Sequence, residues 1–373
     1  MSGARILNLV DMVPDKRGPV ELQLLETARQ AVSGGMEFAA YFRRPVPGWF
    51  AQEMTAAGAR VEALDPSRWT RDVLAACERE RPDIAHFHFG PHAGMNEASR
   101  RGIKVVRTEH SPRAPQSLGA LRVPVRHWRT RRVALFIAVS EFIAAQTMRD
   151  FAVPRRRLRV VLNATDITRF RPRPEDKERL RRELLGLASE HIVITIAANM
   201  RPAKRQELAV LAMPELISQV PEARLVLAGE GPDRPALQAL VHQQGLEHAV
   251  RFLYGHNDVA AIYAASDLAL LPSVSEGLPG GGIEALACGL PLVATPNGGT
   301  PEVYENGVSG VSVDDQTSRG IARALLPVVA DPARREAMGH AARARAESVF
   351  AIERQARETL GVYEELLSSR RGA

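Results

Sequence analysis

The chain has 373 residues, which at roughly 100–200 residues per domain predicts two or three domains. Its 45% hydrophobic and 25% charged residues exclude a disordered or collagen-like chain. The formal net charge is +6, but residues 1–172 carry 28 basic and 17 acidic side chains, a net +11. Such a basic N-terminal half favours an acidic partner: an anionic membrane surface, an acidic substrate or nucleic acid.

The cysteine content and the N-terminus indicate the compartment. Two cysteines, Cys77 and Cys288, are too few for a disulfide framework or a cysteine zinc site. The first residues run almost directly into a strand-like segment without the pattern of a signal peptide. We therefore expect reduced thiols in a cytoplasmic protein. No apolar run approaches 18 residues, which predicts that no helix spans a membrane.

In the first half, short apolar runs alternate with amphipathic stretches of helical length. The strand candidates are 4–10, 37–42, 84–89, 103–108, 133–139 and 158–162, with helices such as 19–33 and 67–80 between them. Runs rich in Val, Ile and Leu, such as 133–139, are typical of strands buried on both faces. The alternation predicts a doubly wound, mostly parallel sheet.

The same pattern restarts after a charged, proline-rich segment at 169–183, where we expect a domain boundary. The second set of strand candidates is 191–197, 223–228, 249–254, 267–271, 291–294 and 308–313. Helices are predicted at 204–219, 233–244, 257–265, 282–288, 316–329 and 332–347. We therefore predict an α/β protein of two Rossmann-like domains, a fold that suits a ligand held at the carboxyl ends of the strands.

The segment 272–302, "PSVSEGLPGGGIEALACGLPLVATPNGGTPE", is the strongest candidate for chemistry. It predicts a strand end, a loop that carries Glu276, and a helix that begins near Gly281 or Gly282 and carries Glu284. Glycine-rich backbone at a helix N-terminus suits an anion. On its own, the same pattern also fits a solvated turn with a helix-capping carboxylate.

This segment resembles the retaining glycosyltransferases of family 4, which have the GT-B fold. Their signature is a Glu, seven residues and a second Glu, followed by "EA.ACG.PVVAT..GG..E"; here Glu276 and Glu284 begin "EALACGLPLVATPNGGTPE". The resemblance implies that Glu276 contacts hydroxyls of the donor sugar and Glu284 the ribose hydroxyls of the nucleotide. It also implies that backbone amides around Gly277 to Gly281, a loop that also contains Leu278, Pro279 and Gly280, hold the sugar or the distal phosphate.

Residues 197–207, "AANMRPAKRQE", follow a predicted strand and suit a diphosphate, because arginine offers a planar fork and lysine a point charge. The family has an Arg and a Lys here. Lys204 matches the Lys, but the usual Arg position is Asn199, and Arg205 takes the place of a glycine. We assign the clamp to Lys204 and Arg201; a surface helix N-terminus is the alternative.

Further matches are weaker, and ordinary packing is the alternative for each. The resemblance implies that Gly229 shapes the nucleotide pocket and that the backbone near Leu253 and Tyr254 reads the base. It places His110, at a strand end, against the donor sugar. Gly18 stands where relatives have the first glycine of a diphosphate loop, although Pro19 replaces the second. No carboxylate or cysteine lies at ligand spacing from His86 and His88, so we expect them to line a cleft or the core.

The resemblance implies residues 1–170 as the acceptor domain, 171–349 as the nucleotide-sugar domain, and a helix over about 350–373 that returns to the first. We expect metal-independent, retaining transfer from a nucleotide-diphospho-sugar, UDP by preference, to a hydroxyl acceptor. No D-x-D triplet is present to suggest a metal-held diphosphate, and no other cofactor is expected. An epimerase or phosphorylase, or a catalytically degenerate binder, remains the alternative.

The arginine-dense stretch 122–132, "RVPVRHWRTRR", is a candidate surface for an anionic membrane or an acidic acceptor. A solvated helix face in an arginine-biased chain is the alternative. Nucleic acid is not expected as a partner, because the basic residues show no aromatic-basic stacking pattern.

Overall fold

The computed structural model describes residues 3–14, 17–43, 45–90, 94–113, 119–255 and 258–368. The chain forms two compact units, one of residues 1–164 with 352–373 and the other of residues 165–351. The divisions fall at 164/165 and 351/352, whereas the sequence placed the boundaries at 170/171 and 349/350.

The first unit is built on a seven-stranded parallel sheet. Its elements up to residue 160 are β1 (Arg5–Val10), α1 (Pro19–Ser33), β2 (Glu37–Arg43), α2 (Gly48–Ala56), β3 (Arg60–Leu64), α3 (Trp69–Glu80), β4 (Ile84–His88), α4 (Met95–Arg100), β5 (Lys104–Glu109), α5 (Gly119–Thr130), β6 (Leu135–Ala138), α6 (Glu141–Phe151) and β7 (Leu158–Val160). The strand order is β3-β2-β1-β4-β5-β6-β7. Strands β2 and β3 are added on one side of β1, and β4 to β7 on the other side. The topological switch point of this sheet therefore lies between β1 and β4.

The second unit repeats the design with six parallel strands. Its elements are α7 (Lys177–Leu180), β8 (Ile192–Ala197), α8 (Gln206–Gln219), β9 (Ala223–Ala228), α9 (Arg234–Gln243), β10 (Val250–Leu253), α10 (Val259–Ala264), β11 (Leu268–Leu271), α11 (Gly280–Ala287), β12 (Leu292–Ala294), β13 (Gly310–Ser312), α12 (Ser318–Val329) and α13 (Pro332–Val349). The order β10-β9-β8-β11-β12-β13 places the reversal between β8 and β11. Because ligands bind at such switch points in open α/β sheets, the loops after β8 and β11 are the natural place for a site.

The last helix, α14 (Ile352–Ser368), belongs to the first unit. It packs along α1, where the Gln30 amide donates a hydrogen bond to the carbonyl of Glu353 at 3.3 Å. Val362 and Tyr363 are buried in the core of that unit with side chains of β1, β2 and α1. None of the described helices is long and apolar enough to cross a membrane.

Candidate active site

The loops after β8 and β11 meet at the switch point of the second unit. They are joined by a backbone hydrogen bond from Val274 N to the carbonyl of Ala203, at 2.9 Å. Lys204 ends the short helical turn Pro202–Lys204 in the first loop, and Glu276 lies in the second. Two residues 72 positions apart in sequence are thus brought together because β8 and β11 are neighbours in the sheet.

Lys204 and Glu276 form an ion pair, with Nζ and Oε1 2.5 Å apart. Their side chains are 27% and 14% exposed, so water still reaches the pair but does not surround it. A half-buried pair of this kind is screened less than a surface pair. The site therefore holds one cation beside one carboxylate, and both are partly accessible to solvent.

The loop after β12 contacts the backbone of Glu276 and holds it in place. Gly299 N donates to the carbonyl of Glu276 at 2.9 Å, and Gly298 has φ +64°, in the left-handed region. A Cβ on Gly298 would lie 2.2 Å from that carbonyl oxygen. Only glycine satisfies both the conformation and the close approach at this position.

A polar network extends from this loop to the neighbouring ones. The amides of Asn297 and Gln316 pair reciprocally at 2.9 Å, and Asn297 also donates to the carbonyl of Ser273 at 3.0 Å. The Arg205 side chain donates a hydrogen bond to Gln316 Oε1 at 3.2 Å. The backbone of Arg205 has a φ of 49°, in the left-handed region that favours glycine. Sequence analysis had assigned no function to these side chains, since they lie in four separate loops.

Glu284 lies in the second turn of α11, which begins at Gly280, one or two residues earlier than predicted. The Tyr263 hydroxyl donates to the carbonyl of Gly281 at 2.9 Å and so braces the first turn. Burial raises the pKa of Tyr263 well above its ordinary value, and the nearby Glu284 carboxylate adds to the shift. Gly277, Leu278 and Pro279 are buried, while Gly280 and Gly281 are half-buried.

The loops after β9 and β10 lie along the same edge of the sheet. A Cβ on Gly229 would meet the carbonyl oxygen of Ala198 at 2.2 Å, so this position also permits a close backbone approach. The side chain of Leu253 is buried in the core, whereas Tyr254 is 52% exposed with the Arg234 guanidinium 3.7 Å from its ring centre. Arg201 is exposed on the loop after β8.

The remaining sequence-predicted residues, Gly18 and His110, lie in the first unit. Gly18 is the buried N-cap of α1, with an ordinary φ of −86°. His110 follows β5, and its Nε2 lies 3.1 Å from Nδ1 of His88. Burial lowers the pKa of His110 to about 4, so the ring is neutral at pH 7.

The histidines of β4 form part of the core beneath His110. Their ring centres are 4.0 Å apart, and burial lowers the pKa of His86 to about 3 and that of His88 well below its ordinary value. Within the described ranges, no group of three His, Cys, Asp or Glu side chains is placed to hold a metal ion.

A cavity of about 610 Å³ lies at the opposite, amino-terminal edge of the second sheet. Its lining includes Asp267 and Leu290, which precede β11 and β12, and residues of α13. Lys177 is paired there with Asp267 at 2.9 Å, and Arg343 donates to the carbonyl of Ala287 at 2.6 Å. This cavity lies away from the carboxyl ends of the strands, where ligands bind in open α/β sheets.

Two parallel-sheet, Rossmann-like units are the architecture of the GT-B fold. The chain matches the family Glycosyltransferase Family 4 over residues 35–169 and Glycosyl transferases group 1 over residues 176–345. It belongs to this family of group 1, family 4 glycosyltransferases. A transferase of this kind acts on a nucleotide-sugar donor and a hydroxyl acceptor.

Curated relatives match most of the chain. It is 30% identical over 376 residues to the D-inositol 3-phosphate glycosyltransferase of Rhodococcus opacus, covering 93% of this chain and 82% of that one. It is 31% identical over 309 residues to the GDP-mannose-dependent α-(1-6)-phosphatidylinositol monomannoside mannosyltransferase of Mycolicibacterium smegmatis, covering 78% of each.

Solved structures share the fold. A glycosyltransferase from Rickettsia africae superposes with a TM-score of 0.83 at 18% identity, over 98% of this chain and 99% of that one. Anabaena HepE in complex with UDP and glucose has a TM-score of 0.81 at 21% identity, over 97% and 100%. At these identities the likeness concerns the architecture alone.

Proposed function

We propose that this protein is a retaining, metal-independent glycosyltransferase that moves a sugar from a UDP-sugar to an anionic hydroxyl acceptor. The observation that carries the proposal is the Lys204–Glu276 pair at the switch point, beside the glycine-rich start of α11. It supplies, in one place, a cation for the diphosphate and a carboxylate for sugar hydroxyls.

The ion pair has a specific consequence for donor binding. A diphosphate brings more negative charge than one carboxylate, so Lys204 exchanges Glu276 for the phosphates. The Glu276 carboxylate is then free to accept hydrogen bonds from the sugar, while amides of Gly280 and Gly281 and the exposed Arg201 meet the diphosphate. Glu284 receives the ribose hydroxyls. Leu253 and Tyr254 contribute backbone groups to the base, and Gly229 leaves room for the nucleotide.

The stereochemistry follows from which groups the site offers. A double-displacement reaction needs a carboxylate nucleophile opposite a carboxylic acid. In this proposal Glu276 binds the sugar hydroxyls and is not the nucleophile. We infer transfer on one face of the sugar, where the leaving diphosphate oxygen accepts the proton of the acceptor hydroxyl. Lys204 stabilises the charge that develops on the leaving group, and loss of one such donor typically costs about 3 kcal/mol of barrier.

The acceptor class is inferred from charge. Residues 1–172 carry a net +11, and relatives named for inositol 3-phosphate, phosphatidylinositol monomannoside and L-malate act on anionic acceptors. A phosphate- or carboxylate-bearing alcohol suits a basic acceptor unit. UDP is the donor nucleotide that we propose, and GDP is the competing choice because a relative 31% identical is named for its dependence on GDP-mannose.

The experiment is a transfer assay with UDP-glucose, UDP-N-acetylglucosamine and GDP-mannose against inositol 3-phosphate and L-malate, with and without EDTA. We expect one UDP-sugar to give an α-linked product that EDTA does not diminish. Lys204→Met should lower kcat about a hundredfold, whereas Arg182→Met, the same charge loss at a side chain 73% exposed in the same unit, should not. A β-linked product would refute retention, and nucleotide binding without turnover would indicate a degenerate binder.

A membrane contact is the second candidate role, favoured by α5. Val125 and Trp128 are 51% and 58% exposed on this helix, and Arg131 stacks on the Trp128 ring with its guanidinium 4.7 Å from the ring centre. Arg126 does not join this surface, since its side chain is 19% exposed and lies 3.9 Å from Asp150. The double change Trp128→Ser and Arg129→Glu should abolish sedimentation with anionic liposomes, while Arg182→Glu should leave it unchanged. Equal sedimentation of both variants would refute the contact.

A further inference from the structure

A small cavity in the first unit is bordered by the sheet and by the helices α1 and α14. Its volume is about 30 Å³, and its lining includes Asn8 of β1, Gln23 of α1 and Gln355 of α14. Gln355, Thr359 and Tyr363 line it at intervals of four residues, so one face of α14 borders the cavity. A space of this size holds a water molecule and is too small for a sugar or a nucleotide.

Three amide side chains at this cavity each carry a buried polar atom without a hydrogen-bond partner among the described residues. The atoms are Asn8 Nδ2, Gln23 Nε2 and Gln355 Oε1, and these residues are 0%, 8% and 7% exposed. The other end of the Asn8 amide is already engaged, since its Oδ1 lies 3.1 Å from His88 Nε2. Buried polar groups without a partner are costly and rare in folded proteins. Three of them around one small cavity therefore indicate a partner from outside the chain.

Other polar groups beside the cavity are bonded to one another. Both ring nitrogens of His86 are engaged, Nδ1 with the Tyr363 hydroxyl and Nε2 with Thr108 Oγ1, each at 2.7 Å. The Thr27 hydroxyl donates to the backbone carbonyl of Gln23, also at 2.7 Å. These bonds do not involve the three amide atoms.

The three amide atoms together specify the chemistry of their partner. An amide nitrogen donates hydrogen bonds, and an amide oxygen accepts them. A cation would face the N–H groups of Asn8 and Gln23, and an anion would face the oxygen of Gln355, so neither kind of ion satisfies all three atoms. A water molecule both accepts and donates, and a buried water typically makes about three hydrogen bonds.

We propose that this cavity binds one structural water molecule that joins α14 to α1 and β1. The water accepts hydrogen bonds from Asn8 Nδ2 and Gln23 Nε2 and donates one to Gln355 Oε1. Its role is to fix the last helix on the first unit, in addition to the direct bond from the Gln30 amide to the carbonyl of Glu353. This inference does not rest on the proposed function, because every group that it uses lies away from the switch point of the second unit.

The first test looks for the water in the wild-type protein in solution. In deuterated protein labelled with nitrogen-15, water-selective NOE and rotating-frame NOE spectra detect N–H groups close to long-lived water. Cross-peaks of opposite sign in the two spectra distinguish such proximity from chemical exchange. We expect them at the side-chain amides of Asn8 and Gln23, with the Gln23 signal assigned by its loss in Gln23→Met. Failure to observe them at either amide would overturn the proposal.

A crystal structure that resolves ordered water tests the geometry. We expect one water in the cavity, about 2.7–3.2 Å from at least two of the three amide atoms. A direct hydrogen bond between the side chains of Gln23 and Gln355, with no water between them, would refute the bridge.

The thermodynamic test is a double-mutant cycle. Gln23→Met and Gln355→Met keep the length of the side chain and remove its amide, and each should lower the midpoint of thermal unfolding by about 3 °C. Because the two amides share one water, the double variant should lose less than the sum of the single losses. Additive losses would show that the two side chains have no common partner.

Gln146→Met is the matched control for this cycle. Gln146 is also a buried glutamine on a helix of the first unit, but its amide bonds directly to the backbone N and O of Arg113, at 2.9 and 3.0 Å. Combined with Gln355→Met, it should give additive losses, since the two side chains bind different partners. A departure from additivity as large as that of the Gln23–Gln355 pair would mean that the coupling does not come from the water.

Discussion

Replacing Gly298 by alanine tests whether the loop after β12 positions Glu276. The left-handed φ of +64° costs an alanine about 1–2 kcal/mol. In addition, the new Cβ would lie 2.2 Å from the carbonyl oxygen of Glu276, so the two backbones must separate by more than about 1 Å to reach ordinary contact. A misplacement of about 1 Å in a catalytic group can lower a rate about a hundredfold, and we expect that loss in kcat/KM.

Gly307→Ala is the matched control. Gly307 has φ +80°, and a Cβ there meets no atom within 4 Å, so this variant carries the backbone cost alone. Both variants should lose thermal stability, Gly298→Ala more than Gly307→Ala, but only Gly298→Ala should lose transferase activity. Thermal unfolding and steady-state kinetics on both proteins measure the two effects. Equal activity in the two variants would refute the argument that Gly298 places Glu276.

Two further predictions concern the second unit. Asp267→Asn leaves the buried Arg181 guanidinium without its carboxylate and should lower the free energy of unfolding by about 3 kcal/mol in urea titrations. Burial raises the pKa of Asp267, but the positive charges of Lys177 and Arg181 outweigh this effect, so the net pKa shift is downward. The ionised Asp267 should therefore stabilise the folded state above about pH 4, and this stabilisation should disappear as the pH falls through the folded pKa. If the wild type and the variant lose stability equally below pH 4, this assignment is wrong. Burial raises the pKa of Cys288 to about 12, so iodoacetamide at pH 8 should modify it only after unfolding; rapid labelling of the native protein would contradict its burial.

The sequence predicted the doubly wound architecture because buried parallel strands appear as unbroken apolar runs. The edge strand β3 was missed for the same reason, since "RVEAL" places a single buried residue at its end and leaves the others exposed or half-buried. Ser140 is of a residue type that favours the N-cap, and at the start of α6 it accepts a hydrogen bond from Ile143 N at 3.1 Å. Local signals of this kind depend on neighbours in the sequence and are therefore visible in it.

The contacts of the candidate site depend on strand order and register, which the sequence does not display. Glu276 was singled out from its motif, but its ion pair with Lys204 requires β8 and β11 to be adjacent. His88 reaches His110 because β4 and β5 pair in a register that sets His88 opposite Thr108. Arg205 was seen only as a departure from a glycine, and its bond to Gln316 joins loops 111 residues apart.

The most direct test of the central claim is calorimetric titration of UDP and GDP into the wild type and into Glu284→Ala. The account predicts that the wild type binds UDP more tightly than GDP and that the variant loses at least tenfold in affinity, because the ribose hydroxyls lose their acceptor. Glu215→Ala, at an exposed position on α8 in the same unit, should bind as the wild type does. Undiminished binding to Glu284→Ala, or no binding of either nucleotide to the wild type, would contradict a donor site at the start of α11.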